Sequence, residues 1–144
     1  MLLETAASMS EPTHVLAKLR VIYGDTDQMG VVYYANYFRY FEFSRSEYLR
    51  ARGGNYTELE KSGFGLPVVT AHCDYKRPAK YDELLVIDVH LAELRRASMR
   101  FEYEVRRETD GVVLATGHTV HACIGPSGKP TGLPESLTKL LSNP

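Results

Sequence analysis

Residues 23–50 read YGDTDQMGVVYYANYFRYFEFSRSEYLR, and the change of pattern inside this stretch decides the fold. Its second part, Asn36 to Arg52, reads as one helix that the Gly53-Gly54 pair stops. Tyr37, Phe38, Tyr40, Phe41, Phe43, Tyr48 and Leu49 spread over more than one face of that helix, so it should be covered on most sides. The flanking sequence offers strands to do the covering. Upstream, Val15 to Tyr23 alternates, with Val15, Ala17, Leu19 and Val21 on one face. Downstream come strand-like runs at Leu66 to Lys76, Leu84 to Leu94, Ser98 to Arg107 and Val112 to Ile124. Pro78, the Asp82 region, Arg95-Arg96 and Asp110-Gly111 punctuate them, the last being a strong hairpin signal. A short helix from Tyr56 to Ser62 lies in the linking segment, and Pro134 to Leu141 reads as a terminal helix. One strand, one long helix and four antiparallel strands define an α+β domain.

At 144 residues the chain has the size of one domain with a genuine core, assigned to residues 14–144. Residues 1–13 read as a flexible N-terminal extension without the basic and apolar segments of a signal peptide. A net charge of -1 leaves no electrostatic footprint for nucleic acid. No window approaches the ~20 apolar residues of a membrane span, so a cytoplasmic location is expected. Cys73 and Cys123 lack metal-ligand spacing and read as reduced thiols.

The first part of the opening stretch carries the chemistry. Asp25 and Asp27 stand one residue apart between a strand and a glycine turn, and a helix opens behind them. A helix N-terminus offers unpaired N–H groups and a positive dipole end, where a developing negative charge can rest. An acyl carbonyl held there would present its carbon to Asp27, which suggests acyl transfer or hydrolysis. Spacing alone favours a plainer role for Asp27, as a cap for the following turn. Asp25 reads as a turn or capping residue, because a second carboxylate beside Asp27 would hinder a nucleophile. Tyr23, four residues before Asp27, is equally a residue that orients it or a core tyrosine.

The run G-D-T-D-x-x-G-V-V-Y-Y-A-N-Y-F, followed by F-E-x-x-R-x-E-Y-L-R, resembles the hot-dog-fold acyl-CoA thioesterases of the 4-hydroxybenzoyl-CoA thioesterase group, in particular their YbgC-like branch. The resemblance spans Leu16 to Ile124 and turns the reading of Asp27 from cap to catalyst. It implies a curled antiparallel sheet wrapped around one central helix, and a homodimer, paired further into a homotetramer, with active sites between chains. It also implies that Asp27 attacks the thioester or activates water while the Tyr34 N–H polarises the carbonyl. Gly30, Val31 and Asn36 would frame the substrate. Many YbgC-like members carry His where this chain has Tyr34, so no histidine shuttle is available there. Glu42 is a fallback carboxylate, because another hot-dog branch uses a helix Glu; its alternative is an ion pair with Arg45.

Acyl-CoA carries phosphates, so Lys76, Arg77, Arg95 and Arg96 are candidate CoA contacts, with Ser98 added by position. No metal or organic cofactor is expected. His118 and His121 fall on opposite strand faces, His72 and His90 read as isolated, and His14 precedes the first strand. Two rival functions stay in view: a hydroxyacyl-thioester dehydratase of the same fold, and a non-catalytic acyl-CoA-binding module.

Overall fold

The computed structural model describes residues 13–142. Residues 1–12, which hold nearly all of the expected N-terminal extension, lie outside that range. The order of elements is β1 (His14–Arg20), a 3-10 turn (Tyr23–Asp25), α1 (Asn36–Ala51), α2 (Tyr56–Lys61), β2 (Val68–Tyr75), β3 (Leu84–Leu94), β4 (Ser98–Arg107), β5 (Val113–Ala122) and α3 (Glu135–Ser142). The first strand stops short of the expected Tyr23 because the chain turns into the 3-10 segment there. Val21 nevertheless stays buried, in line with Ala17.

The five strands form one antiparallel sheet in the order β1-β3-β4-β5-β2. Alternation decides which side faces inward. On β3 the buried Leu85, Ile87 and Val89 point to α1, and on β4 Met99, Phe101, Tyr103 and Val105 do the same. Helix α1 answers with Tyr37, Tyr40, Phe41, Tyr48 and Leu49. Phe41 stacks flat on Tyr103, with ring centres 4.2 Å apart, and Tyr48 meets Phe101 edge-on at 5.4 Å. Burying each such side chain contributes about 2–3 kcal/mol, and the aromatic geometry adds to it. Gly117 on β5 makes the seat possible. A Cβ there would lie 2.7 Å from the Phe41 ring and 2.4 Å from the His72 carbonyl oxygen.

This is the hot-dog fold, an antiparallel sheet with one long helix against its inner face. The helix is covered on one side rather than most, since Glu42 and Phe43 remain exposed. The end of the sheet at β2 is equally open. Val68 and Val69 are exposed, Tyr75 is half-exposed, and among the described residues the strand pairs only with β5. An edge of this kind invites a further strand.

Candidate active site

The loop between β1 and α1 is built around Asp25, which is 5% exposed. Its Oδ2 accepts hydrogen bonds from the Tyr40 hydroxyl at 2.9 Å and the Ile22 N–H at 3.3 Å, while Arg39 approaches Oδ1 at 3.2 Å. Its main-chain carbonyl accepts from the Tyr33 N–H and the Asn36 Nδ2, both at 2.9 Å. Asp25 therefore ties the loop to the first turns of α1, the structural role its position suggested. Burial, and then the Asp25 hydrogen bond, raise the Tyr40 pKa, so its hydroxyl keeps its proton and goes on donating. Asn36 spends its side chain on this tie and on Arg39, leaving Asp27's surroundings to other residues.

Asp27 is held differently. Its N–H donates to the Val31 carbonyl and its carbonyl accepts from Gly30, each at 2.9 Å. Gly30 has φ +81°, a left-handed value that glycine adopts without strain. One carboxylate oxygen, Oδ1, accepts the Met29 N–H at 2.9 Å. The other takes no hydrogen bond from the described residues. Asp27 is half-exposed and borders a cavity of about 280 Å³. Val31, Tyr34, Tyr37 and Tyr75 supply its apolar wall, and Lys76 and Arg77 stand at its rim.

The aromatic wall is cross-braced. The Tyr75 hydroxyl donates to the Tyr34 carbonyl at 2.9 Å, and Tyr37 meets the Tyr75 ring edge-on at 5.2 Å. Burial pushes the Tyr37 pKa up to about 12, so this wall stays neutral. The carbonyl of Tyr34 is thus fixed, and with it the peptide plane at the entrance to α1. The Tyr34 and Ala35 N–H groups donate to no main-chain carbonyl among the described residues. Asp27, with one carboxylate oxygen unbonded among the described residues, and Tyr34 line the same cavity.

Not every expected residue comes to this cavity. Tyr23 is 76% exposed and packs edge-on against Tyr81 at 5.6 Å, so it is neither a core tyrosine nor part of the cavity wall. Arg95, Arg96 and Ser98 lie at the far end of the sheet. Strand β3 runs 11 residues from the Asp25 end to Arg95, roughly 35 Å at ~3.3 Å per residue. Within one chain the two basic clusters therefore cannot edge the same pocket. The expected Glu42–Arg45 pair does not form. Arg45 is 9% exposed and donates to the Tyr103 hydroxyl at 3.1 Å, because its position on α1 turns it toward the sheet while Glu42 faces out.

The histidine readings divide. His121 is buried between the Thr119 hydroxyl at 2.9 Å and the Leu66 carbonyl at 3.2 Å. Burial, reinforced by the Arg45 charge, lowers its pKa to about 4. His118 points to the opposite face, as the strand period demands. His90 and His72 are not isolated, however: His14 stacks on His90 at 4.2 Å and His72 on His118 at 5.3 Å. Strand pairing brought together residues far apart in the chain.

Sequence reading placed Tyr37 in the helix core and passed over Tyr75; their joint role as cavity wall was missed. The signal for Tyr75 was its place directly before Lys76-Arg77, at the end of a strand. A wider groove of about 720 Å³ runs between β1 and α1. Two of its carboxylates are engaged, Asp25 with Arg39 and Glu47 with Arg50, while the fallback carboxylate Glu42 lines this groove and not the Asp27 cavity.

One antiparallel sheet packed on one long helix, with Asp27 in the loop leading into that helix, is the architecture of the hot-dog thioester hydrolases. Residues 21–141 match the family described as the thioesterase-like superfamily. The chain belongs to that superfamily. It is 36% identical over 123 residues to the acyl-CoA thioesterase YbgC of Haemophilus influenzae, covering 83% of this chain and 88% of that one. Among solved structures it superposes on a hypothetical protein of Aquifex aeolicus with a TM-score of 0.84 and 32% identity, over 89% of this chain and 99% of that one. The DHNA-CoA thioesterase of Staphylococcus aureus gives a TM-score of 0.80 and 30% identity, over 83% of this chain and 80% of that one.

Proposed function

We propose that the protein hydrolyses an acyl-CoA thioester to a free acid and CoA, with Asp27 as the reacting carboxylate. What supports this is that Asp27, with one carboxylate oxygen unbonded, and Tyr34, whose N–H donates to no main-chain carbonyl among the described residues, line one aromatic cavity with Lys76 and Arg77. The thioester oxygen rests on the N–H, which gains strength as the oxygen takes up charge. Asp27 then attacks the carbonyl carbon, the C–S bond breaks, and CoA leaves as the thiolate and takes a proton from water. Water cleaves the resulting anhydride and restores Asp27. In the alternative route Asp27 removes a proton from the attacking water, and no anhydride forms.

The size and lining of the cavity suit a short aliphatic or an aromatic acyl group, and Lys76 and Arg77 offer cations to the CoA phosphates. This chemistry asks for no metal or organic cofactor. The open β2 edge supports a homodimer in which the sheet continues across the two chains, with further pairing into a tetramer. In such an assembly Arg95, Arg96 and Ser98 serve a partner's site rather than their own. A cytoplasmic location belongs to the same reading, and no described helix is long and apolar enough to cross a membrane.

Thiol release from a panel of short aliphatic, long aliphatic and aromatic acyl-CoAs tests the proposal. Wild type should turn over at least one of them, and Asp27→Asn should lose roughly 10²–10⁴-fold in kcat. Unchanged turnover in a folded Asp27→Asn protein would remove Asp27 from the chemistry. Label in Asp27 after a single turnover in ¹⁸O-labelled water identifies the anhydride route, with water attacking the Asp27 carboxyl carbon.

A further inference from the structure

The outer face of the sheet, away from α1, carries a row of side chains that crosses all five strands. In register, His14 on β1 faces His90 on β3, His90 faces Glu102 on β4, Glu102 faces His118 on β5, and His118 faces His72 on β2. Four of the chain's 5 histidines thus stand in one line around one carboxylate. The β1 end of the row is the denser one. There Asp88 joins the two histidines, and one donor atom from each of His14, Asp88 and His90 lies within 4.8 Å of the others.

From this juxtaposition the geometry points to a binding site for a divalent first-row transition ion of the zinc type, held by His14, Asp88 and His90. Two imidazoles and a carboxylate form a donor set that zinc favours, and a water or Glu102 is at hand for a fourth position. The His14 Nδ1 already stands 2.6 Å from Asp88 Oδ1. Around these three, Glu102 Oε1 lies 3.7 Å from His90 Nε2, and Arg106 stands 3.9 Å from the other Asp88 oxygen.

The stacked rings, inclined by 22°, do not yet aim both lone pairs at one point. One ring must turn about its terminal side-chain bond to close the site. His14 has the freedom to do so, with a side chain 49% exposed, while Asp88 and His90, at 21% and 28%, remain as the fixed part. The site shares no residue with the Asp27 cavity, so its ion plays no part in thioester hydrolysis. Its effect is to clamp the edge strand β1 to β3.

The test titrates the full-length, tag-free protein, stripped with a chelator, with ZnCl₂ in a calorimeter at pH 7.5. Wild type should take up one equivalent. His90→Gln and, independently, Asp88→Asn should weaken that uptake at least ~10-fold. His118→Gln, at the other end of the row, should leave it unchanged, and the thioester-hydrolysis rate of His90→Gln should equal that of wild type. Copper(II) electron paramagnetic resonance should show imidazole nitrogen coupling that His90→Gln reduces. Absence of uptake by wild type, or uptake that His90→Gln and Asp88→Asn leave intact, would overturn the inference. Equal weakening by His118→Gln would overturn it too, by moving the ion elsewhere.

Discussion

Asp25 and Asp27 stand one residue apart, and their replacement should give opposite phenotypes. Asp25→Ala removes the acceptor of the Tyr40 hydroxyl and the Ile22 N–H and the partner of Arg39. A buried hydrogen bond to a charged group contributes about 1.5–3 kcal/mol, and leaving the Tyr40 hydroxyl unpaired costs about 1–3 kcal/mol. The Arg39 pair adds little, because Arg39 is mostly solvated. The total is about 3–5 kcal/mol. For a chain of this length that corresponds to a fall in Tm of about 10–15 °C. Tyr40→Phe should give about half the loss, and the double variant Asp25→Ala/Tyr40→Phe should lose less than the two changes summed. Asp27→Asn should leave Tm within about 2 °C of wild type, since its engaged oxygen accepts one exposed N–H that an amide oxygen also accepts. Thermal unfolding by circular dichroism, read beside thiol release on the same preparations, makes the comparison. An Asp25→Ala protein melting within 2 °C of wild type would refute the reasoning, because the loop would then be held by something other than this carboxylate.

Gly117→Ala should destabilise by about 1–3 kcal/mol through overpacking against Phe41 and the His72 carbonyl, measurable as a shifted urea midpoint; an unshifted midpoint would mean that Phe41 can move aside. Tyr75→Phe deletes the hydroxyl that fixes the Tyr34 carbonyl, so kcat should fall severalfold while stability changes by about 1 kcal/mol or less. A change in KM with kcat intact would instead make Tyr75 a wall residue alone. His121 titrates near 6.5 when unfolded and about 4 when folded, so the unfolded chain binds the extra proton between those values. Its contribution is present above pH 6.5 and lost as the pH falls toward 4, on the order of 3 kcal/mol. Unfolding free energies of His121→Gln should show a correspondingly flatter pH dependence across that window.

Sequence and structure agree most closely where burial alternates residue by residue. The bounds expected for β3 and β4, Leu84 to Leu94 and Ser98 to Arg107, are those observed: on β4 every second side chain enters the core, and on β3 Leu85, Ile87 and Val89 do so in the half that faces α1. Agreement loosens at β1 and β2. β1 gives way to a turn, and β2 lies on an edge where both faces meet solvent and alternation carries less meaning. Asp27 and its glycine turn were legible because a tight loop is a local object. Asp25 was legible as a tie, though not which partners it would hold. The fate of Tyr23 was hidden, since its ring rests on Tyr81, which is distant in the chain.

What the sequence by itself determined was the set of elements, the long aromatic helix, the Asp-bearing loop and the family they define. These depend on spacing between near neighbours, which the backbone periods convert directly into faces and turns. Tertiary structure alone decided which distant residues share a place. It set Tyr75 against Tyr34, turned Arg45 to Tyr103 and away from Glu42, and sent Arg95, Arg96 and Ser98 to the end of the sheet away from Asp27. It also paired His14 with His90 and set it 2.6 Å from Asp88, 74 positions away in the chain. Strand register sets such meetings, and register follows from how the whole sheet packs its alternating faces against one helix.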